Sequence, residues 1–320
     1  MSVSILTYRE AEIDPDLIRK VGQLSNEIGN TPLYEVRNLL KNPKVRVLAK
    51  MEWRQLSGSV KARAAFSIIR SAINSGQLTK ANVLLDATSG NTGIAYAAIA
   101  KRLGLSVELC LPENASEVRK EILLSSGAKL TLTSRFEGTD GAQEKALQLK
   151  TVSPEKYFYA DQYSNKANWE AHYFGTAREI IKEVPEITHF VAGLGTTGTF
   201  TGTSRRIREF NPNVERIALQ PNSPMHGLEG WKHLETAKVP AFYDTSLATS
   251  FIEVDTAEVY DFILKAYKYE GLWLSPSSAA NLLISIKISE TLDSGTIVTV
   301  LPDNADKYQE IINHLIHKRK

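Results

Sequence analysis

Four short stretches of the sequence are rich in small and hydroxyl-bearing side chains; three of them contain glycine, and one of these contains a lysine. They are residues 57–63 (SGSVKAR), 88–93 (TSGNTG), 193–199 (GLGTTGT) and 274–280 (LSPSSAA). Each is typical of a corner that leads into a helix. Ligands of parallel sheets bind at such corners, beyond the carboxyl ends of the strands. The four stretches are therefore candidates for parts of one site.

The 88–93 stretch is rich in hydrogen-bond donors beside two glycines. The donors are Thr88, Ser89, Asn91 and Thr92. Gly90 and Gly93 let a ligand come close to the backbone, and the start of a helix favours an anion. An N-cap would explain one polar residue here but not six consecutive small or polar ones. We therefore predict that residues 88–92 bind an anion such as a carboxylate.

The 193–199 stretch is suited to a phosphate. The residues that would hold it are Gly195, Thr196, Thr197, Gly198 and Thr199. No Gly-Lys-Ser/Thr follows, which argues against a P-loop, and the spacing fits a dinucleotide-binding fingerprint poorly. Backbone N–H groups and the helix dipole are the expected anion ligands. A tight structural turn remains the alternative.

Lys61 is expected in the first turn of a helix, where the dipole disfavours a cation. Burial there would lower the pKa of its amine and make it a nucleophile toward aldehydes. The alternative is a solvated surface lysine.

Ser277 is either part of an N-cap or a hydroxyl that faces a ring nitrogen. An aldehyde, a phosphate, a ring nitrogen and a nearby carboxylate together indicate pyridoxal 5′-phosphate and an amino-acid substrate.

Composition excludes several classes of function. The 320 residues carry 38 basic and 36 acidic side chains, so no charge excess indicates nucleic acid. Cys110 is the single cysteine, which rules out an internal disulfide and argues against a cysteine-based metal site. We expect Cys110 to be a buried small side chain and the site to need no metal. The charged N-terminus and the lack of a long apolar run predict a cytoplasmic protein without a membrane span.

Strand-like and helix-like segments alternate from residue 45 onward. This pattern predicts an α/β fold with largely parallel sheets. The units over 45–160 would form one sheet, and those from about 185 onward a second. Gly76, Gly104 and Gly127 are expected to end the helices that precede them.

Five motifs in order identify a resemblance to the cysteine synthase family, the O-acetylserine sulfhydrylase-like members of the tryptophan synthase β-like (type II) pyridoxal-phosphate enzymes. The motifs are residues 28–33 (IGNTPL), 59–61 (SVK), 88–93, 195–199 and 276–278 (PSS), and the resemblance extends over about 25–308. It implies two domains, each a mainly parallel twisted sheet flanked by helices. Residues 55–165 would be a smaller mobile substrate-binding domain. Residues 1–54 and 166–320 would be a larger cofactor-binding domain, and the protein a homodimer.

The resemblance also implies a role for each site residue. Lys61 would form the Schiff base with the cofactor and then act as base for the substrate's α-proton. Residues 195–199 would hold the cofactor phosphate, Asn91 the ring hydroxyl and Ser277 the ring nitrogen, with Asp303 as a further cofactor contact. The substrate carboxylate would be held by the 88–92 loop with Gln162 nearby; the loop's residues are Thr88, Ser89, Gly90, Asn91 and Thr92.

The implied reaction is a β-replacement that makes L-cysteine. O-acetylserine is the expected donor, and the sulfur would come from sulfide or from the thiocarboxylate of a small carrier protein. Alternatives within the fold are an O-phosphoserine-dependent cysteine synthase, a cystathionine or diaminopropionate synthase, and a serine or threonine dehydratase. An alternative of another class is a non-catalytic regulatory partner of an acetyltransferase.

Three positions depart from the family's usual pattern. Ala62 replaces an acidic residue, so no salt bridge is expected there, and Thr197 replaces a common glycine. Asn222 stands where a phosphoserine user is expected to carry an arginine, which argues against that donor. Residues 226–231 are either part of the donor pocket or a structural turn, and His226 and Lys232 are candidate anion contacts.

Overall fold

A computed structural model describes residues 14–88 and 90–317. Two parallel-type sheets and the helices around them account for its regular structure. The strands are β1 Leu33–Val36, β2 Val45–Met51, β3 Val83–Ala87, β4 Ser106–Pro112, β5 Lys129–Thr133, β6 Tyr157–Tyr159, β7 His189–Gly193, β8 Glu215–Pro221, β9 Ser250–Val254 and β10 Gly295–Leu301. The helices are α1 Pro15–Leu24, α2 Lys61–Asn74, α3 Asn91–Leu103, α4 Glu117–Ser125, α5 Gly138–Val152, α6 Ala167–Ala171, α7 Ala177–Glu183, α8 Gly198–Phe210, α9 Thr256–Glu270, α10 Pro276–Ser289 and α11 Gln309–His317.

The larger sheet has six strands in the order β1-β2-β10-β7-β8-β9. Only β1 runs antiparallel to its neighbour. Strand β10 lies between β2 and β7, and Ile297 is in register with Val47 on one side and His189 on the other. Because β10 is buried along almost its whole length, it needs a strand on each edge and a helical layer on each face.

The smaller sheet has four parallel strands in the order β5-β4-β3-β6. Cys110 lies in β4 with no exposed surface, and burial raises the pKa of its thiol to about 12. The prediction that Cys110 is a buried small side chain is therefore confirmed. The prediction that the first strand of 45–160 shares this sheet is wrong, because β2 pairs with β10 of the larger sheet.

Glycines end three helices as predicted. Gly104 follows α3 directly with φ +71°, and Gly76 and Gly127 adopt φ +70° and +84° just beyond α2 and α4. That left-handed backbone suits glycine, which has no Cβ to clash. Helices α6 and α7 are joined by a π-helical turn at His172–Thr176, so the chain is helical from Ala167 to Glu183. Within residues 14–88 and 90–317, every helix is too short or too polar to span a membrane.

A buried ion-pair network joins β2, α2 and α7 beside the start of α2. Arg63 is 3% exposed and donates to Glu52 Oε2 and Glu179 Oε1, each at 2.6 Å. Lys50 Nζ lies 2.8 Å from Glu179 Oε2. Ala62 is fully buried and carries no charge, as expected, so the neighbouring Arg63 supplies the ion pairs in this region.

Replacing Arg63 by alanine is expected to lower the free energy of unfolding by about 3–5 kcal/mol, because the buried carboxylate of Glu52 would lose its cation and keep only hydrogen bonds from Thr31 and Gln55. Arg46 is the matched control. Its side chain is 49% exposed and pairs with Glu35 and Glu186 at the surface, so Arg46→Ala should cost less than about 1 kcal/mol. Urea unfolding measures both, and equal losses would contradict the role of Arg63.

The same network has a pH dependence of defined sign. Burial raises the pKa of Glu179, but hydrogen bonds and charge from Arg63 outweigh burial and lower it to about 2. The unfolded chain has an ordinary glutamate pKa of about 4.3. The stabilisation from Glu179 is therefore present above about pH 4.3 and is lost as the pH falls toward 2.

Candidate active site

The four stretches that the sequence predicted as corners of a site meet in one cleft. The cleft has an inner compartment, bordered by Lys61, residues 195–197 and Ser277, and an outer compartment, bordered by Lys61, residues 90–92 and Gln162. The carboxyl ends of β3 and β7 lead into this cleft, and helices α2, α3, α8 and α10 begin at it. The expectation that the corners share one site agrees with this arrangement.

Lys61 is the first residue of α2 and borders both compartments. Its amine has no hydrogen-bond partner among residues 14–88 and 90–317. Burial lowers its pKa, the negative charge of Asp303 opposes that shift, and the positive charge of Lys307 adds to it. An amine held partly neutral in this way is ready to attack a carbonyl group.

The 195–199 stretch forms the turn that leads into α8 together with the first two residues of that helix. Thr197 adopts φ +65°, a left-handed conformation, which explains why glycine is common at this position. Its Oγ1 is buried and has no hydrogen-bond partner in the described chain. A Cβ on Gly195 would overlap the carbonyl oxygen of Gly230, so only glycine fits there. The turn has the form and the free donor that an anion requires.

Neighbouring side chains hold this turn in place. Asn168 Nδ2 donates to Thr196 Oγ1 at 3.2 Å, and Thr199 Oγ1 lies 3.3 Å from His172 Nε2. A Cβ on Gly198 would overlap the amide of Asn168. Because these partners come from α6 and the π-helical turn, the 166–176 segment fixes the geometry of the turn.

The 88–92 loop closes on itself through Thr88. Its Oγ1 accepts hydrogen bonds from the backbone N–H groups of Gly90 and Gly93, each at 3.1 Å. Thr92 Oγ1 donates to Gln162 Oε1 at 2.7 Å, and Gln162 Nε2 donates to the carbonyl of Ala87 at 2.6 Å. Gln162 thus lies beside the loop, as its predicted role requires. Ser89 lies outside the described residues.

Ser277 and Asp303 lie at the inner end of the cleft. Ser277 Oγ is 3.2 Å from Ser275 Oγ, the N-cap of α10, and borders the inner compartment. Asp303 is fully buried, and its Oδ2 accepts from Asn91 Nδ2 at 2.8 Å and from Tyr308 Oη at 3.0 Å. Its Oδ1 has no partner in the described chain. An additional donor would satisfy that oxygen.

Three site residues were not found by sequence reasoning: Lys307, Tyr308 and Arg119. Lys307 Nζ donates to Asn91 Oδ1 at 2.8 Å and to the carbonyl of Gly58 at 3.1 Å, and burial lowers its pKa. Lys307 and Tyr308 follow β10, so the same rule about strand ends would have found them. Arg119 lies in the first turn of α4 and pairs with Glu229, and no local pattern marks it.

The 226–232 region is only partly in the cleft. Glu229, Gly230, Trp231 and Lys232 border the outer compartment. Lys232 Nζ lies 3.2 Å from Asp140 Oδ1. His226 Nδ1 instead accepts from the N–H of Leu228, and Asn222 Nδ2 donates to Asp255 Oδ2; neither residue borders either compartment.

The residues present fit pyridoxal 5′-phosphate. Three buried oxygens in the segments that form the cleft have no partners in the described chain: Ser59 Oγ, Thr197 Oγ1 and Asp303 Oδ1. Such unpaired groups are costly unless a ligand satisfies them. A molecule with an aldehyde, a phosphate and a polar ring would pair with the amine, the turn before α8 and the polar wall of the cleft.

Comparisons with known proteins agree with this geometry. A family model described as pyridoxal-phosphate dependent enzyme matches residues 24–303. The chain is 43% identical over 289 residues to the cysteine synthase of Aquifex aeolicus, with 88% of each chain covered. It is 33% identical to the O-acetylserine dependent cystathionine beta-synthase of Bacillus subtilis, covering 90% of this chain and 96% of that one. The solved structure of a hydrogen sulfide-producing enzyme from Fusobacterium nucleatum superposes with a TM-score of 0.86 at 33% identity, covering 94% of this chain and 93% of that one.

Proposed function

Because the chain belongs to the pyridoxal-phosphate-dependent enzymes and, among them, to the cysteine synthases, we propose that it makes L-cysteine from O-acetylserine and sulfide. The observation that carries the proposal is the position of Lys61. Its amine has a lowered pKa and borders a cleft with two further walls. One wall is the 195–199 turn, which is suited to a phosphate, and the other is the 88–92 loop, whose donors are suited to a carboxylate. Because the chain belongs to this family, its activity is cysteine synthesis with this cofactor. What we propose is the identity of the donor and of the sulfur source.

The inner compartment is the proposed cofactor site. When bound, pyridoxal phosphate supplies an aldehyde that joins amino groups and a ring that withdraws electrons. Lys61 Nζ would hold the aldehyde carbon, the 195–199 turn the phosphate and Asn91 the ring hydroxyl. Ser277 would face the ring nitrogen, and a neutral hydroxyl there leaves that nitrogen unprotonated. Asp303 Oδ2 accepts a hydrogen bond from Asn91 Nδ2 and so fixes the orientation of that amide.

The outer compartment is the proposed donor site. The 88–92 loop binds the donor's carboxylate, and Gln162 fixes the loop through Thr92. Once the donor's amino group has freed Lys61, Lys61 Nζ would take the proton from the donor's Cα, and the electron pair of that C–H bond would form a double bond between Cα and Cβ. The bond between Cβ and the ester oxygen would break at the same time, and that oxygen would leave with its electron pair as acetate. Hydrosulfide then forms the bond from sulfur to Cβ, and Lys61 returns the proton to Cα. Burial, to which the positive charge of Lys307 adds, lowers the pKa of Lys61 and so favours the neutral amine that acts as a base.

A panel of substrates tests the donor and the nucleophile. The purified holoenzyme is given O-acetylserine, O-phosphoserine, serine or threonine, each with sulfide, homocysteine, ammonia or no nucleophile, and products are measured by mass spectrometry. Cysteine from O-acetylserine and sulfide at the highest kcat/KM is the expected result. Cystathionine at a higher kcat/KM would favour the activity for which the Bacillus relative is named, and keto acid alone would indicate a dehydratase.

Residues 55–165 are the proposed moving domain. The four-stranded sheet lies wholly within this range, and the contacts from Asn91 to Asp303 and to Lys307 cross the cleft. Closure over the donor would exclude water from the reaction.

A homodimer is proposed as well, supported by the 60% exposure of Phe174 beside a groove that includes Phe66 and Arg70. Sedimentation of the purified enzyme measures the oligomeric state.

A further inference from the structure

Arg119 and Glu229 face each other at the outer compartment. Arg119 is 6% exposed, its guanidinium pairs with Glu229, and its Cζ lies 5.1 Å from the centroid of the Tyr308 ring. Its Nε is buried and has no hydrogen-bond partner among the described residues. The side chain of Glu229 is 43% exposed, so this carboxylate forms the solvent side of the pair. Arg119 therefore lines the outer compartment as a largely desolvated cation whose visible ionic partner is Glu229.

The pair lies where the donor's leaving group must be. A Cβ on Gly90 would come within 3.1 Å of Arg119 Cδ and Nε, so Arg119 packs against the loop that is proposed to hold the carboxylate. Arg119 and Lys61 border the outer compartment together, whereas Ser277 and Thr197 border only the inner one. With the carboxylate at the loop and the amino group near Lys61, the donor's third substituent extends into the outer compartment.

The charges of the pair decide which substituent fits. Glu229 neutralises Arg119, and Asp140 lies close to Lys232, the other cation of this compartment. An acetyl ester brings no charge and leaves as a monoanion, so it places less negative charge beside Glu229. A phosphate ester brings about two negative charges next to the carboxylate of Glu229, and like charges in contact are strongly unfavourable.

We propose that Glu229 is a specificity-determining residue that, by neutralising Arg119, makes the cleft accept an uncharged acyl ester of serine and reject a phosphate ester. This inference rests on the proposed function, since it assumes that an O-activated serine binds in the outer compartment. The choice between the two donors would then depend on a glutamate and an arginine that are far apart in the sequence.

The test compares kcat/KM for O-acetylserine and O-phosphoserine, with sulfide, in the holoenzyme. Glu229→Gln keeps the shape and removes the charge, and should move the ratio toward O-phosphoserine by at least about tenfold. Adding Arg119→Gln to Glu229→Gln should cancel that shift, because the phosphate loses its partner. Glu235→Gln, at an exposed position of the same region, is the matched control and should leave the ratio unchanged. Glu229→Ser removes the same negative charge and should shift the ratio in the same direction.

A binding measurement separates this inference from the proposed function. Calorimetry with inorganic phosphate needs no turnover, and Glu229→Gln holoenzyme should bind phosphate at least about tenfold more tightly than the wild type. If the wild type uses neither donor, the proposed function fails while the phosphate titration still tests the pair. If O-acetylserine is used but neither ratio nor phosphate affinity changes in Glu229→Gln, the inference is overturned and the proposed function stands. A wild type that prefers O-phosphoserine would also overturn it.

Discussion

Replacing Lys61 by alanine is expected to lower kcat/KM for cysteine formation by about 10³-fold or more, because the proton at the donor's Cα would lose its positioned base. The variant should also lose the visible absorption that the bound cofactor gives the wild type, since no amine remains in the cleft at this position. Lys101, exposed on α3, is the matched control, and Lys101→Ala should retain both properties. Steady-state assays and absorption spectra measure the two effects. A Lys61→Ala protein that keeps both its spectrum and its activity would remove the basis of the proposed function.

The pH dependence of cofactor loading provides a second measurement on Lys61. Only the neutral amine attacks the aldehyde, and burial lowers the pKa of this amine in the folded protein. The rate at which apoprotein recombines with the cofactor should therefore rise with pH and level off below about 10.4, the ordinary pKa of lysine. Lys307→Met should move the midpoint upward, because the nearby positive charge that lowers the pKa of Lys61 would be gone. A midpoint that does not move would show that burial alone sets the pKa.

Replacing Gly195 by alanine is expected to weaken cofactor binding by about 100-fold. A Cβ at this position would overlap the carbonyl oxygen of Gly230, which is backbone and has little freedom to move aside. Overpacking of this kind costs about 1–3 kcal/mol, and each 1.4 kcal/mol is about tenfold in affinity. The loss should appear in affinity because the displaced backbone belongs to the turn that is proposed to hold the phosphate.

Gly22→Ala is the control for this substitution. Gly22 lies in α1, and no atom is within 4 Å of an added Cβ, so alanine should be neutral or slightly stabilising there. Fluorescence titration of apoprotein with pyridoxal phosphate measures both variants, and circular dichroism confirms that each is folded. Equal affinities for the two variants would mean that the turn before α8 does not hold the phosphate.

Local sequence patterns were sufficient to predict which segments of the chain form the corners of the site. Lys61 begins α2, Gly104 adopts the left-handed backbone that ends α3, and the turn at 195–199 precedes α8. Each of these features depends on residues within a few positions of one another: the alternation of strand and helix, the absence of a Cβ, and the free N–H groups at a helix start. The left-handed φ of +65° at Thr197 is likewise a property of the turn itself.

Which distant residues complete the site was decided by tertiary structure. Strand β2 joins β10, about 250 positions further along the chain, rather than the neighbouring strands of the smaller sheet. That pairing carries Asp303 and Lys307 to Asn91, and packing of α4 against the 88–92 loop turns Arg119 toward Glu229. Sequence alone determined where an anion and an aldehyde could be held, because short-range geometry creates those places. Only the folded chain determined which charges surround them, because electrostatic interactions depend on distance in space, and no short-range pattern records that distance.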